Sequence, residues 1–126
     1  MIVKMGEIIY FNIFYEEIRT LKIPLKLAFK LSNLAKAINE KVEFYQEELQ
    51  KIFQEYGELD EKGKVVLTSD GRGIKVKKGT EEECLGKINE LQSLEVELPN
   101  ITFDIEEFGD IEMTVDVFNI ITPFLS

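Results

Sequence analysis

The chain has 126 residues, of which 44% are hydrophobic and 31% are charged, a composition that suits one globular domain over 1–126 and excludes a disordered chain. It contains no His, no Trp and one Cys, which excludes Ser-His-Asp and Cys-His catalysis, the usual zinc ligand sets and an intrachain disulfide. The net charge of −9 disfavours direct binding to the phosphates of nucleic acid.

The N-terminal residues predict a strand or an extended segment at Met1–Met5, followed by a helix over Ile8–Leu21. The helix rests on apolar residues spaced by three or four, which places them on one face. They are Tyr10, Ile13, Phe14, Ile18 and Leu21. The β-branched and aromatic content of Glu7–Phe11 leaves a strand open there. Charged residues interrupt the apolar stretch, so we expect neither a secretory signal nor a membrane span.

The clearest pattern runs from Leu25 to Tyr56, where apolar residues recur every three or four positions without Gly or Pro. It predicts one long amphipathic helix, which Gly57 would end in a left-handed conformation. We name its apolar stripe the seam. Its representative residues are Leu31, Ile38, Tyr45 and Ile52. The seam is covered either by other helices of the chain or by a second copy or another protein, so a homo-oligomer is one alternative.

Short β-prone runs flank Asp70-Gly71 and predict a hairpin over Lys64–Lys77. Thr80 and Glu83 have the spacing of a capping box for a helix that ends near Leu94 and buries Cys84. Alternation predicts a strand at Glu95–Leu98, with Ile101–Phe103 pairing back on it. Thr114 would cap a last helix that buries Val115, Phe118 and Ile121. The predicted class is α+β: one long amphipathic helix packed with two or three shorter helices, plus small antiparallel β-hairpin elements.

The charge is concentrated in the last third of the chain. Residues 1–87 hold 15 basic and 15 acidic residues, whereas 88–126 hold nine acids and no Lys or Arg. A one-sided segment predicts a partner-binding surface for a basic protein. Its residues are Glu95, Glu97, Asp104, Glu106, Glu107, Asp110 and Glu112. Two alternatives stay open: the acids are only solubilising, or they pair internally with Lys75, Lys77 and Lys78.

Carboxylates could also hold a divalent metal, but the Asp-x-Asp-x-Asp-Gly pattern is missing and apolar residues interleave the acids. We therefore expect no metal site, no cofactor and no catalytic residue, and we interpret the chain as a binding protein and not as an enzyme.

The order of these elements resembles a family of small tailed-bacteriophage and prophage proteins of unknown function. The resemblance covers about residues 20–112 and rests on a long helix, a Tyr-Gly-x-x-Asp-x-x-Gly loop and a Glu-Leu…Glu-Val segment before an acidic C-terminus. The matching stretches are Leu21–Lys26, Tyr56–Gly63 and Glu90–Leu98.

The resemblance implies a phage protein in the cytoplasm of the infected bacterium, or in the virion. Two functions then compete. The first is an accessory protein that binds a host protein, such as a defence or nucleic-acid-handling protein, through an acidic surface that partly imitates DNA. The second is a head or tail subunit that oligomerises through the long helix.

Overall fold

The computed structural model describes residues 1–125 and shows a mostly helical α+β fold with one small antiparallel sheet. A short 3₁₀ helix at Ile105–Phe108 lies before the last α-helix, and another at Thr122–Phe124 follows it. The main elements are β1 (Ile2–Lys4), α1 (Met5–Arg19), α2 (Leu25–Tyr56), α3 (Glu81–Gln92), β2 (Glu95–Glu97) and α4 (Val115–Ile121).

Helix α2 is the scaffold of the fold, because both α1 and α3 pack against it. Its seam lies in the hydrophobic core: Leu31, Ile38 and Tyr45 are buried, and Ile52 is partly buried against the core. Pro24 precedes the helix, where the missing N–H of proline costs little. No helix within residues 1–125 combines the length and apolar character needed to cross a membrane.

Helix α1 forms over Met5–Arg19, where Ile8–Leu21 was predicted, and a partly different face is buried. The buried side chains are Met5, Ile8, Phe11 and Ile18. Tyr10 and Ile13, which the spacing placed inside, are both 62% exposed. The prediction of this face was wrong because α1 is apolar almost all the way round, so that spacing alone does not select the face that meets α2 and α4. The strand considered for Glu7–Phe11 is also absent, since those residues are helical.

The sheet joins the N-terminus to the last third of the chain. Strands β1 and β2 pair antiparallel, with Val3 opposite Val96 and both side chains buried. The predicted pairing of Ile101–Phe103 on β2 was wrong. Phe103 instead donates its N–H to the carbonyl of Phe124 at 2.9 Å and forms a parallel bridge with Leu125.

Residues 57–79 form a compact ladder of isolated antiparallel bridges in place of continuous strands. The predicted hairpin is present as a Leu67–Ile74 bridge around Gly71, which has a φ of 71°. A second bridge joins Leu59 to Val65, so the ladder begins before the predicted hairpin.

Two predictions at the ends of this ladder were wrong. Gly57 has a φ of −79°, so it does not end α2 in a left-handed conformation. The hydroxyl of Thr80 donates to the carbonyl of Lys77 at 2.7 Å and caps no N–H of α3, so the capping box is absent.

Helix α4 is capped by Thr114 as predicted, since the hydroxyl oxygen accepts the N–H of Val117 at 3.2 Å. Its buried residues are Val117, Ile120 and Ile121. Val115 and Phe118 are exposed, so two of the three residues predicted for its inner face lie outside. The helix packs on α1, which leaves a groove between the two elements.

Candidate functional site

The seven acids of the predicted partner-binding surface lie on two local elements. Glu95 and Glu97 are on β2, where they are exposed and Val96 between them is buried. The register places Glu95 opposite Lys4 and Glu97 opposite Ile2 on β1. This end of the acidic surface therefore has a cation and an exposed apolar side chain as cross-strand neighbours.

The other five acids lie in residues 104–112, in and around the first 3₁₀ helix. Buried aromatic rings fix this segment: Phe103 and Phe108 pack edge to face with centroids 6.2 Å apart. Asp104, Glu106, Asp110 and Glu112 are exposed at the surface of the turn. We call residues 104–112 the acidic segment.

Ile105 lies among these acids and is 56% exposed. The acidic segment thus exposes one apolar side chain together with its carboxylates.

Glu107 differs from its neighbours because it is tied to α2. Its two carboxylate oxygens accept from the Lys30 ammonium at 2.7 and 2.9 Å, and the same carboxylate accepts the N–H of Asp104 at 3.1 Å. The Lys30 ammonium also lies 3.5 Å from the carbonyl oxygen of Thr102 and 6.0 Å from the centroid of the Phe103 ring. We call this arrangement the Lys30 clip.

The Lys30 clip determines the electrostatics of Glu107. The hydrogen bond from Lys30 lowers the pKa of the Glu107 carboxyl, and the backbone N–H of Asp104 and the charges of Lys30 and Lys26 act in the same direction. Glu107 is therefore ionised and engaged within the fold. The ion pair ties the acidic segment to α2, and it makes the Glu107 carboxylate less accessible to a partner than a fully exposed acid.

One alternative was that the acids pair with Lys75, Lys77 and Lys78. The structure shows internal pairing of one acid, but with Lys30. Lys30 pairs with Glu107, whereas Lys77 donates its ammonium to the carbonyl of Glu55 at 3.1 Å. Glu106, Asp110 and Glu112 make no ion pair or side-chain hydrogen bond within residues 1–125. Those three carboxylates remain available to a partner.

Among the described residues, the carboxylates are dispersed and the one thiol is buried. No three acidic or Cys side chains of residues 1–125 come together closely enough to hold a metal ion. Cys84 is buried as predicted, and burial raises the pKa of its thiol, which makes the nucleophilic thiolate harder to form.

Sequence reasoning missed a second surface, the groove between α1 and α4. It encloses about 410 Å³ and is lined by residues of both helices and of the turn after α4, including Tyr10, Phe14, Asp116, Ile120 and Pro123. The signal was present in the sequence as apolar residues all around α1, more than one buried face can use.

Comparison of the chain with protein-family models, with curated proteins and with solved structures finds no match.

Proposed function

We propose that this chain is a non-enzymatic bacteriophage accessory protein that binds a basic surface of another protein through its acidic segment, assisted by Glu95 and Glu97. In the phage context that the resemblance implies, the partner is a host defence or nucleic-acid-handling protein in the cytoplasm of the infected cell, and the carboxylates stand in part for DNA phosphates.

The observation that carries the proposal is the difference between paired and unpaired carboxylates within the acidic segment. One carboxylate, Glu107, is used by the Lys30 clip to hold the turn, while Glu106, Asp110 and Glu112 have no partner within residues 1–125. Unpaired acids on a turn that is held by other contacts give a charge pattern whose backbone needs little reorganisation on binding.

The competing function, a virion subunit that oligomerises through the seam, has less support. Leu31, Ile38 and Tyr45 are already in the core of the same chain, so they offer little apolar area to a second copy. We therefore favour the acidic segment over the seam as the contact with a partner.

The direct experiment is affinity capture from a bacterial lysate with the wild-type chain and with a triple reversal, Glu106→Lys, Asp110→Lys and Glu112→Lys. Glu107 is left intact so that the Lys30 clip still holds the turn. We expect the wild-type chain to enrich a basic protein, quantified by mass spectrometry, and the triple reversal to lose it.

The matched control reverses three exposed acids elsewhere, Glu40, Glu47 and Glu61, and so changes the net charge by the same amount. It should retain capture. Equal loss in both triple variants would show that only net charge matters and would contradict the proposed surface.

A further inference from the structure

We propose that the groove between α1 and α4 binds a basic amphipathic helix of a partner protein. This surface is separate from the acidic segment, and its occupancy does not depend on whether the acidic segment binds anything. The groove encloses about 410 Å³, enough for a few apolar side chains, and it is open to solvent along α1.

The apolar part of the groove is aromatic. Tyr10 and Phe14 lie one turn apart on α1 with ring planes parallel to within 6° and centroids 6.4 Å apart. Ile120 and Pro123 complete the apolar lining. Ile13 extends the same side of α1 and is 62% exposed, so the apolar surface continues beyond the groove itself. A face this apolar on a helix that already buries its other face marks an interaction site.

The polar part of the groove is acidic. Its charged lining residues among 1–125 are Glu7 and Asp116, and the lining contains no Lys or Arg. One carboxylate oxygen of Glu7 accepts the N–H of Lys4 at 3.0 Å at the start of α1, so Asp116 is the main acid available to a partner. Asp116 is exposed and its carboxylate has no partner within the described residues. Carboxylates beside aromatic rings suit a Lys or Arg side chain, which pairs with the carboxylate and stacks on the ring.

The shape and the charge of the groove indicate which kind of partner segment fits it. The groove is bounded by two helices and has no unpaired strand edge, which favours a helix laid between them with anchors at i, i+3 and i+4. The acids require that its flanks be basic. A second copy of this chain is disfavoured, because a two-fold contact through the groove would bring Glu7 and Asp116 of both copies together.

The test uses a fluorescein-labelled synthetic helix of about five turns, or ~18 residues, with Leu along one face and Lys elsewhere. Fluorescence anisotropy measures its affinity for the full chain. Asp116→Lys should weaken binding by about tenfold or more, whereas the matched reversal Glu40→Lys, away from the groove, should change it less than about twofold. Tyr10→Ser should weaken binding, and Leu85→Ser, an equally exposed apolar position on α3, should not.

The location is read by amide chemical shifts of the ¹⁵N-labelled chain, which should change in α1 and α4 when the Leu/Lys helix is added. Four outcomes would overturn the proposal: equal effects of the groove and control variants, shift changes centred elsewhere, equal binding of a peptide with Glu in place of Lys, or equal binding of a Pro-interrupted Leu/Lys peptide that cannot be helical. Self-association of the chain that Asp116→Lys abolishes would assign the groove to a second copy instead. The triple reversal in the acidic segment leaves Glu7 and Asp116 intact, so failure here and failure of the proposed function are distinguishable.

Discussion

At the scale of single residues, the contact with the most consequence joins Lys30 to Glu107 across 77 positions of sequence. It connects the start of α2 to the acidic segment and places one carboxylate of that segment inside the fold. Glu106, Asp110 and Glu112 carry the same charge but make no ion pair within residues 1–125, so acids of one segment have different environments.

Replacing Glu107 with Gln should therefore lower the melting temperature more than Glu106→Gln, because only Glu107 loses an ion pair. The difference should depend on pH. The pKa of Glu107 is lowered in the folded state. The stabilisation is therefore fully present above the pKa of the unfolded state and is lost as pH falls through the lower pKa of the folded state. Thermal melts of both variants between neutral pH and pH 3 would measure this, and a gap that stays constant with pH would contradict it.

The sequence alone could not single out Glu107. The charge count identified the acidic third correctly, but a local pattern contains no information about a lysine 77 residues away. Only the fold brings Lys30 to Glu107, which is why the sequence analysis placed Glu107 with the exposed acids and named the wrong lysines as internal partners.

At the scale of elements, α2 was predicted with the same bounds that the structure shows, because its buried side chains recur every three or four positions with no Gly or Pro between them. The faces of α1 and α4 were not predictable in the same way. Both helices have apolar residues on more than one side, and packing against the rest of the chain decides which of them are buried. Apolar residues of α1 that lie outside its buried face, such as Tyr10, line the groove.

A charge in the seam should be strongly destabilising. Ile38 is 1% exposed, so Ile38→Asp would bury an unpaired carboxylate and lower the free energy of unfolding by about 3–5 kcal/mol. Gln46→Asp, an exposed position on the same helix, should stay within about 0.5 kcal/mol of the wild-type chain. Urea denaturation followed by circular dichroism measures both, and similar values for the two variants would place the seam outside the core.

Two glycines should respond in opposite directions to the same substitution. A Cβ at Gly57 would lie 2.5 Å from the carbonyl oxygen of Phe53 and 2.9 Å from a methyl carbon of Val65, so Gly57→Ala should be destabilising where the ladder meets α2. Gly86 lies inside α3 with nothing within 4 Å, so Gly86→Ala should stabilise by about 0.5–1 kcal/mol. The midpoints of urea denaturation give both signs, and a neutral Gly57→Ala would contradict the close approach.

At the scale of the whole molecule, one hydrophobic core holds both ends of the chain together, while the excess negative charge lies in the last third of the sequence. One core joins both ends of the sequence: Phe11 of α1 packs edge to face on Phe124 with centroids 5.3 Å apart, and the two strands pair the first residues with the last third. The acidic third is thereby fixed to the helices instead of trailing from them. If the proposed basic partner is correct, an acidic surface on a chain of net charge −9 should make the association fast and electrostatically steered.

Recognition through the acidic segment is tested most directly by measuring the association rate constant with the captured partner at several salt concentrations. For the wild-type chain, the rate constant from surface-based kinetics should fall steeply as sodium chloride rises from about 50 to 300 mM, since the Debye length shortens across that range. The triple reversal of Glu106, Asp110 and Glu112 should associate slowly at every salt concentration, and the Glu40, Glu47 and Glu61 reversal should stay close to wild type. An association rate that is insensitive to both salt and the triple reversal would contradict recognition through the acidic segment.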